Sequence, residues 1–291
     1  MTEQTVGFIG TGVMGKSMAD HLMRGGHDLL LYNRTKDKAQ ELIDNGAIWC
    51  ETIRELAAKA DIIITIVGYP ADVEEVYFNE VGILKHARSG SYLIDMTTST
   101  PLLARKIADT AKAKKIYALD APVSGGDIGA RDATLAIMVG GEKEAFYAVK
   151  PILELMGTNI TLQGPAGSGQ HTKMANQIII ASTMMGIAEG MSYAKKAGLD
   201  QENVLKAIET GAASSFALSK LAPRMIKGDF APGFYVKHFI KDMNIAIQSA
   251  EAMDLKTPGL IQAKNLYDQL ASSGEEDSGT QALYKLYDSQ A

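Results

Sequence analysis

The chain has one cysteine among its 291 residues, Cys50, so no disulfide can form within it. A protein of this length can instead bury enough apolar surface to fold without covalent cross-links, and a lone cysteine suits a reducing compartment. The first ten residues, MTEQTVGFIG, have no basic region followed by a long apolar one, so they do not resemble a secretory signal. We therefore expect a cytoplasmic protein.

Long apolar runs, basic clusters and metal-ligand spacings are also missing. The most apolar stretch is interrupted by Ser182, Thr183 and Glu189, and it falls short of the roughly 20 residues that span a bilayer. The net charge is -5, with no dense run of Lys and Arg. The five histidines are scattered along the chain. These absences argue against a membrane partner, a nucleic-acid partner and a bound metal.

The first half of the sequence alternates short β-branched runs with helical patterns. Such alternation, with continuous apolar strands, predicts a parallel sheet that is covered on both faces. The predicted strands are Val6–Ile9, Leu29–Tyr32, Ile62–Val67, Tyr92–Ile94, Tyr117–Leu119 and Leu135–Val139. The fold class is thus α/β, with an N-terminal Rossmann-type doubly wound parallel sheet. We place this dinucleotide-binding domain at residues 1–165.

The second half, residues 166–291, is predicted to be all-helical and to serve substrate binding and dimerisation. A long interdomain helix should open it, from about residue 170 to 196, after the glycine-rich stretch at 164–169. Further helices are expected at 201–210, 214–227, 235–253, 258–273 and 279–288. Because the long helix is apolar around most of its circumference, it needs cover from other helices or from a second subunit. We expect a homo-dimer or a homo-tetramer.

A glycine-rich turn follows the first predicted strand and opens the first helix. Gly10 permits a tight turn, Gly12 lets the backbone approach a pyrophosphate, and Gly15 lets helix and strand pack closely. Amides at the start of the helix can then face the phosphates, which predicts a dinucleotide site. Its residues are Gly10, Thr11, Gly12, Val13, Met14 and Gly15.

The choice of dinucleotide depends on the end of the second strand, which reads YNRTKDK. An NAD site would place an acidic residue there for the ribose 2′-hydroxyl, whereas this chain has Asn33, Arg34 and Thr35. A guanidinium can hold a 2′-phosphate with two hydrogen bonds. NADP is therefore the preferred cofactor and NAD the alternative, in which Arg34 is an ordinary surface arginine.

Three other strand ends carry candidate binding residues. Val67 and Gly68 follow the strand that begins at Ile62 and are expected on the adenosine side of the cofactor. Thr98 belongs to a hydroxyl-rich segment before Pro101 that can contact the nicotinamide ribose and also cap the next helix. Ser124, Gly125 and Gly126 offer a hydroxyl and successive N–H groups, which suit a substrate carboxylate. A plain glycine turn is the alternative for this last segment.

Lys173 lies in the first turns of the long apolar helix. Lys173, Asn176 and Gln177 are three and four residues apart and share one helix face, with Gln170 one turn earlier. Desolvation favours a neutral amine, so a buried lysine can exchange a proton near neutral pH. The alternative is a lysine whose ammonium reaches solvent from the helix start.

Taken together, GFIGTGVMG, DAPVSGG, GPAGSGQHTKMANQ and HFIKDMNIA make the chain resemble the β-hydroxyacid dehydrogenases from end to end. That family includes 3-hydroxyisobutyrate dehydrogenase, tartronate semialdehyde reductase and glyoxylate and succinic semialdehyde reductases, and 6-phosphogluconate dehydrogenase is a relative. The resemblance implies that Lys173 is the catalytic lysine and Asn176 its partner. It also implies that Ser124–Gly126 binds the substrate carboxylate and that Lys241 reaches both cofactor and substrate.

The resemblance implies an NAD(P)-dependent oxidoreductase that acts on CH–OH donors without a metal. We expect hydride transfer between NADP(H) and a small β-hydroxy acid or semialdehyde, with Lys173 as general acid and base. The alternatives are an NAD-dependent dehydrogenase of the 3-hydroxyisobutyrate type and a non-catalytic dinucleotide-binding module. The C-terminal stretch EEDSGTQALYKLY departs from the family's usual ending, which leaves the substrate itself open.

Overall fold

The structure of the chain is a computed structural model, which describes residues 4–288. Most of its strands lie in the first half of the chain, and all nine join one sheet. Their bounds are β1 Val6–Ile9, β2 Leu29–Tyr32, β3 Ile48–Trp49, β4 Ile62–Thr65, β5 Tyr92–Asp95, β6 Tyr117–Asp120, β7 Val123–Ser124, β8 Leu135–Gly140 and β9 Gly157–Gly164.

Helices connect these strands and then make up the second half of the chain. Those of the first half are α1 Gly15–Arg24, α2 Gln40–Asp44, α3 Ile53–Lys59, α4 Pro70–Phe78, α5 Ile83–His86, α6 Pro101–Lys112, α7 Gly126–Arg131 and α8 Lys143–Leu153, with a 3₁₀ turn at Lys36–Ala39. Those of the second half are α9 Ser168–Lys196, α10 Gln201–Ile208, α11 Phe216–Ile226, α12 Val236–Glu251, α13 Pro258–Leu270 and α14 Tyr284–Asp288. Within residues 4–288, none of the helices has both the length and the apolar character to cross a bilayer.

The sheet has the strand order β3-β2-β1-β4-β5-β6-β8-β7, with β9 beside β8. The six strands from β3 to β6 are all parallel, and Val6 of β1 lies between Leu29 of β2 and Ile62 of β4. This is the order of a doubly wound Rossmann sheet, so the predicted fold class is confirmed. Because the strands are parallel, their carboxyl ends share one edge of the sheet.

The sheet departs from the predicted parallel arrangement at its far side. Strand β8 runs antiparallel to β6 and β7, and only β9 is parallel to β8. Strands β3, β7 and β9 were not predicted. The first two have only two residues each, whereas in β9 the apolar Ile160 and Leu162 alternate with Asn159, Thr161 and Gln163. The two-residue segments are too short for a sequence pattern, but the alternation in β9 is typical of a half-buried strand and could have identified it.

Both faces of the sheet are covered, as the continuous apolar strands predict. In β4, Ile62 and Ile64 belong to the apolar cluster that contains Met18 of α1, whereas Ile63 belongs to the cluster that contains Leu56 of α3. Successive side chains of a strand point to opposite faces, so an uninterrupted apolar strand needs helices on both sides.

The chain divides into two compact units between Lys173 and Met174, and helix α9 passes through this division. In the second unit, α9 contributes to two apolar clusters. Ala181 and Ala188 pack with α12 and α13, whereas Met184 and Met191 pack with residues of α10 and α11. The predicted helix at 258–273 is α-helical to Leu270 and is followed by a π-helical segment over Ala271–Glu275. The one at 279–288 begins as a 3₁₀ turn over Thr280–Leu283. The domain boundary at residue 165 stays a prediction.

Candidate cofactor and substrate site

The glycine turn between β1 and α1 has the geometry that its spacing predicts. Gly10 has a φ of 103°, and a Cβ there would lie 2.1 Å from the carbonyl oxygen of Ile66. A Cβ on Gly15 would lie 2.0 Å from the carbonyl oxygen of Gly10, whereas a Cβ on Gly12 would meet nothing within 4 Å. Gly10 and Gly15 are therefore required by packing. Gly12 faces open space, where its missing side chain leaves room for a ligand.

Helix α1 begins without a side-chain cap at its N-terminus. Met14, at the N-cap, forms no side-chain capping hydrogen bond, and the first turn contains no acidic residue. The Thr11 hydroxyl beside it is buried and has no hydrogen-bond partner among the described residues. An uncapped helix start, an open glycine and a buried hydroxyl fit the phosphates of a dinucleotide. The residues present therefore fit the cofactor that the motif predicts.

Asn33 joins the end of β2 to the glycine turn. Its Oδ1 accepts a hydrogen bond from the Thr11 N–H at 3.2 Å, and its Nδ2 donates to the carbonyl of Thr35 at 2.8 Å. The Arg34 guanidinium is 76% exposed and lies 3.1 Å from a carboxylate oxygen of Asp72 in α4. The Arg34 side chain is thus exposed to solvent and paired with Asp72. A phosphate group that bound Arg34 would have to compete with the Asp72 carboxylate.

A buried carboxylate organises the ends of β4 and β5. Asp95 accepts hydrogen bonds from the Thr65 hydroxyl at 2.8 Å and from the Thr97 N–H at 3.1 Å. The Thr97 hydroxyl in turn accepts from the N–H of Val67 at 3.0 Å. Complete burial raises the pKa of Asp95 to about 6, although the hydrogen bonds from Thr97 and Thr65 oppose the shift. These contacts fix the segments that begin with Val67 and Thr97, where Gly68 and Thr98 were predicted to meet the cofactor.

A second carboxylate, Asp120, holds the start of α9 at the end of β6. One oxygen accepts from the Gly167 N–H at 2.7 Å and the other from the Gln170 N–H at 2.8 Å. Burial raises the pKa of Asp120, and the backbone hydrogen bonds work against it. A Cβ on Gly140 would lie 2.5 Å from an Asp120 oxygen, and one on Gly169 would lie 2.3 Å from the carbonyl oxygen of Met138. The glycine-rich entry to α9 is therefore needed for close approach of the backbone.

Gln170 ties the first turn of α9 to the end of β5. Its Oε1 accepts from the Ser99 N–H at 3.0 Å, and its Nε2 donates to the Thr97 carbonyl at 2.7 Å. Lys173 lies one turn further on the same side of the helix and is only 7% exposed. The structure thus places the lysine in the first unit, buried, just beyond the anchored turn. We call Asp95, Thr97, Asp120 and Gln170 the backbone network, because most of their partners are main-chain groups.

The Ser-Gly-Gly segment leads from β7 into α7. Ser124 is half-buried and pairs with Ala136 of β8. Gly125 and Gly126 have φ values of 133° and 64°, which side-chain-bearing residues rarely adopt. A Cβ on Gly126 would meet nothing within 4 Å. The two glycines therefore serve the backbone conformation, and open space lies beside the second.

The remaining two predicted site residues, Asn176 and Lys241, belong to the second unit, where Gln177 and Asp242 connect them. Asn176 Nδ2 donates to Gln177 Oε1 at 2.8 Å, and Gln177 Nε2 donates to Asp242 Oδ2 at 2.6 Å. Lys241 Nζ lies 3.0 Å from Asp242 Oδ1, an ion-pair distance without hydrogen-bond geometry. We call Asn176, Gln177, Asp242 and Lys241 the side-chain row.

Five connecting residues received no site role from the sequence: Asp95, Asp120, Gln170, Gln177 and Asp242. Each is a polar side chain at the end of an apolar strand or within an apolar helix, and that is the signal that could have identified them. Burial of such a group is unfavourable unless it is hydrogen-bonded. Within residues 4–288, no three His, Cys, Asp or Glu side chains gather as a metal site requires.

Comparison with known families accounts for nearly the whole chain. Residues 5–164 match the family described as the NAD binding domain of 6-phosphogluconate dehydrogenase. Residues 167–287 match the family described as NAD-binding of NADP-dependent 3-hydroxyisobutyrate dehydrogenase. The two matches meet at the glycine-rich entry to α9.

Individual relatives are similar over their full length. The uncharacterized oxidoreductase YkwC of Bacillus subtilis is 65% identical, covering 98% of this chain and 99% of its own. The 2-hydroxy-3-oxopropionate reductase of Escherichia coli is 41% identical, covering 98% of each chain. The structure of a Mycobacterium tuberculosis 3-hydroxyisobutyrate dehydrogenase with L-serine superposes with a TM-score of 0.89 at 29% identity, covering 98% of this chain and 99% of its own.

Proposed function

The chain belongs to the β-hydroxyacid dehydrogenase family, and from that premise we propose that it transfers hydride between NADP(H) and a small β-hydroxy acid or the matching semialdehyde. The observation that carries the proposal is the buried Lys173, one turn beyond a helix start that is anchored to the carboxyl ends of β5 and β6. Ligands of open α/β sheets bind at that edge, and the glycine turn lies on it too. The enzyme class, an NAD(P)-dependent oxidoreductase, follows from membership of the family.

The residues divide the chemistry between binding and proton transfer. The nicotinamide, when bound, supplies or accepts the hydride. Ser124, Gly125 and Gly126 hold the substrate carboxylate through a hydroxyl and backbone N–H groups. In reduction, Lys173 Nζ donates a proton to the carbonyl oxygen as that oxygen gains charge, and in oxidation Nζ accepts the proton from the hydroxyl. The resemblance to the family also assigns Asn176 as the partner of the catalytic lysine and Lys241 as a contact of the substrate and cofactor.

NADP is the proposed cofactor because the end of β2 carries Arg34 and no acidic residue. The guanidinium is exposed and can turn from Asp72 to a 2′-phosphate, which accepts two parallel hydrogen bonds from it. An NAD-dependent dehydrogenase of the 3-hydroxyisobutyrate type is the alternative. It is favoured by the Asp72 carboxylate, which already pairs with the arginine.

The experiment that tests the function follows NADPH and NADH absorbance with a panel of small semialdehydes and, in the reverse direction, β-hydroxy acids. We expect turnover with at least one three- or four-carbon substrate that carries a carboxylate, and a higher kcat/KM with NADPH. The same substrates as methyl esters are the control, because they lack the charge that Ser124–Gly126 binds. A protein that binds NADPH and consumes none with any substrate would be a non-catalytic binding module.

We further propose that the chain is a cytoplasmic homo-oligomer, a dimer or a tetramer, with separate domains at 1–165 and 166–291. The exposed side of α9 supports an association, because Ile179 and Tyr193 are 68% and 74% exposed on it. No membrane or nucleic-acid partner is proposed. Sedimentation equilibrium of the purified protein decides the oligomeric state, and a monomer at micromolar concentration would contradict it.

A further inference from the structure

We propose that Gln177 and Asp242 are positioning residues, which set the orientation of Asn176 and Lys241 for the reaction. The inference rests on the proposed function, since it takes Asn176 and Lys241 as members of the site. Asp242 is 1% exposed and Gln177 is 2% exposed, and each contacts a residue that we assign to the site, Lys241 and Asn176 respectively. Both belong to the second unit, on helices α12 and α9.

The carboxylate of Asp242 dictates the direction of every hydrogen bond in the side-chain row. An ionised carboxylate only accepts, so Gln177 must present Nε2 to it and is left with Oε1 on the other side. Oε1 only accepts, so Asn176 must present Nδ2 to Gln177, at 2.8 Å. The Asn176 Oδ1 therefore faces away from Gln177. A neutral pair, with Gln at 177 and Asn at 242, would leave the Asn176 amide without a preferred orientation, because either amide could then donate to the other.

The other oxygen of Asp242 acts on the lysine. Lys241 Nζ lies 3.0 Å from Asp242 Oδ1, and the lysine side chain is 12% exposed. Neighbouring residues on a helix normally point apart, so the lysine side chain must turn toward its neighbour to reach this distance. Removing the charge of one partner of a buried ion pair leaves the other uncompensated, which is strongly unfavourable. Asp242 thus holds the ammonium at a fixed place.

Correct placement matters because the rate of a bound reaction depends on the alignment of its groups. A displacement of about 1 Å can lower a rate by about 10². A role confined to stability would instead lower the folded fraction and leave kcat per folded molecule unchanged. The two roles are therefore separable by experiment.

The test exchanges the amide of Gln177 and the carboxylate of Asp242 between the two positions. Gln177→Glu alone places two carboxylates against each other, and Asp242→Asn alone removes the partner of Lys241. In the double variant Q177E/D242N, Asn at 242 donates to Glu at 177, Glu accepts from Asn176, and the amide oxygen at 242 faces Lys241. The total charge is unchanged, and every hydrogen bond of the row is restored with the polarity reversed between 177 and 242.

We expect each single variant to lower kcat by about 10–10² relative to the parent protein, at temperatures where circular dichroism shows it folded. The double variant should regain at least tenfold over the weaker single variant. Gln248→Glu is the matched control, because Gln248 is exposed on α12, and its kcat should equal that of the parent. Single variants with parental kcat per folded molecule, or a double variant no better than the singles, would overturn the positioning role.

Failure of the proposed function gives a different result. If the parent protein turns over no substrate of the panel, or if Lys173→Ala retains parental turnover, the function itself is wrong. If the parent is active and Lys173→Ala is not, the exchange experiment decides on Gln177 and Asp242 alone.

Discussion

The two compact units keep their buried polar groups in contrasting ways. In the first unit, the backbone network bonds mainly to main-chain groups, such as the Gly167 N–H and the Thr97 carbonyl. In the second, the side-chain row bonds to its own members. The contrast indicates what each set controls. Main-chain partners fix the path of the chain at the sheet edge, whereas side-chain partners fix the orientation of individual groups.

The contrast also predicts how each set responds to mutation. A main-chain N–H or C=O cannot be exchanged for another group, so loss of its partner leaves a buried polar group unsatisfied. A row of side chains can be rebuilt with complementary groups, as in the double variant at 177 and 242. The first set should therefore tolerate only substitutions that keep the atoms bonded to the main chain, whereas the second should also tolerate compensated exchanges.

The largest expected effect is on kcat and comes from removing the Lys173 amine, which lies one turn beyond Gln170 of the backbone network. Lys173→Ala should lower kcat by about 10²–10⁴, the usual contribution of general acid–base catalysis, because no other group replaces its proton transfer. Cofactor binding, measured by fluorescence titration with NADPH, should persist. Lys206→Ala, at an exposed position on α10, is the control and should be fully active. Turnover near the parental rate in Lys173→Ala would exclude the assigned role.

The next effect is on stability and concerns Gln170. Gln170→Met keeps the side-chain length but leaves the Ser99 N–H and the Thr97 carbonyl buried without partners. Each such group destabilises by about 1–3 kcal/mol, so the free energy of unfolding should fall by about 2–4 kcal/mol in a urea titration. Gln163→Met, at an exposed position on β9, should change it by less than about 0.5 kcal/mol. Equal stability of the two variants would mean that the main-chain contacts of Gln170 do not stabilise the fold.

Asp95 should make the free energy of unfolding of the first unit depend on pH. Its pKa is about 6 in the folded protein against 3.8 for the free side chain, so the folded state binds the proton more tightly. Its contribution to stability is thus complete below about pH 4 and is lost as the pH rises toward 6. Asp95→Asn keeps an oxygen that can accept from Thr65 and Thr97 but does not titrate. The variant should therefore not lose stability as the pH rises.

The free energy of unfolding of Asp95→Asn, relative to the parent, should therefore rise by about 2–3 kcal/mol between pH 4 and pH 7. Urea titrations at intervals of half a pH unit measure it. Asp109→Asn, at an exposed position on α6, should give a difference that does not vary with pH over this range. A flat difference for Asp95→Asn as well would show that the carboxyl is ionised throughout.

The smallest effect on stability is expected at Arg34, because its ion pair with Asp72 is exposed. Arg34→Asp should change the free energy of unfolding by no more than about 1 kcal/mol. The same change should lower the ratio of kcat/KM for NADPH to that for NADH by about tenfold or more, since a carboxylate repels a 2′-phosphate. Arg54→Asp, exposed on α3, is the control for the charge change. A ratio that stays constant in Arg34→Asp would remove the arginine from cofactor selection.

Much of the fold could be predicted because its signals are local. Strands β1 and β2 lie at their predicted bounds, since each is a continuous apolar run ended by turn residues. The parallel pairing of β1, β2, β4, β5 and β6 follows from the alternation of strands with helices. The antiparallel β8 could not be predicted, because no local pattern distinguishes a buried parallel strand from a buried antiparallel one.

The site was predictable in part. The family and the enzyme class implied by the four motifs are confirmed, and the glycine turn has the geometry that its spacing predicts. The roles of Lys173, Asn176, Ser124 and Lys241 stay predictions. The connecting residues were not assigned, because Asp120 and Gln170 are 50 residues apart and Gln177 and Asp242 are 65 apart. No periodicity relates positions at such separations.

The sequence by itself determined the strand–helix alternation, the glycine turn and the polar face of α9 that bears Lys173 and Asn176. These are properties of neighbouring residues, for which dihedral preference and helical spacing suffice. Only the tertiary structure decided which main-chain groups Asp95, Asp120 and Gln170 satisfy, and that Gln177 meets Asp242. Those contacts are decided by packing, because a buried polar group takes whichever partner the fold brings within hydrogen-bond distance.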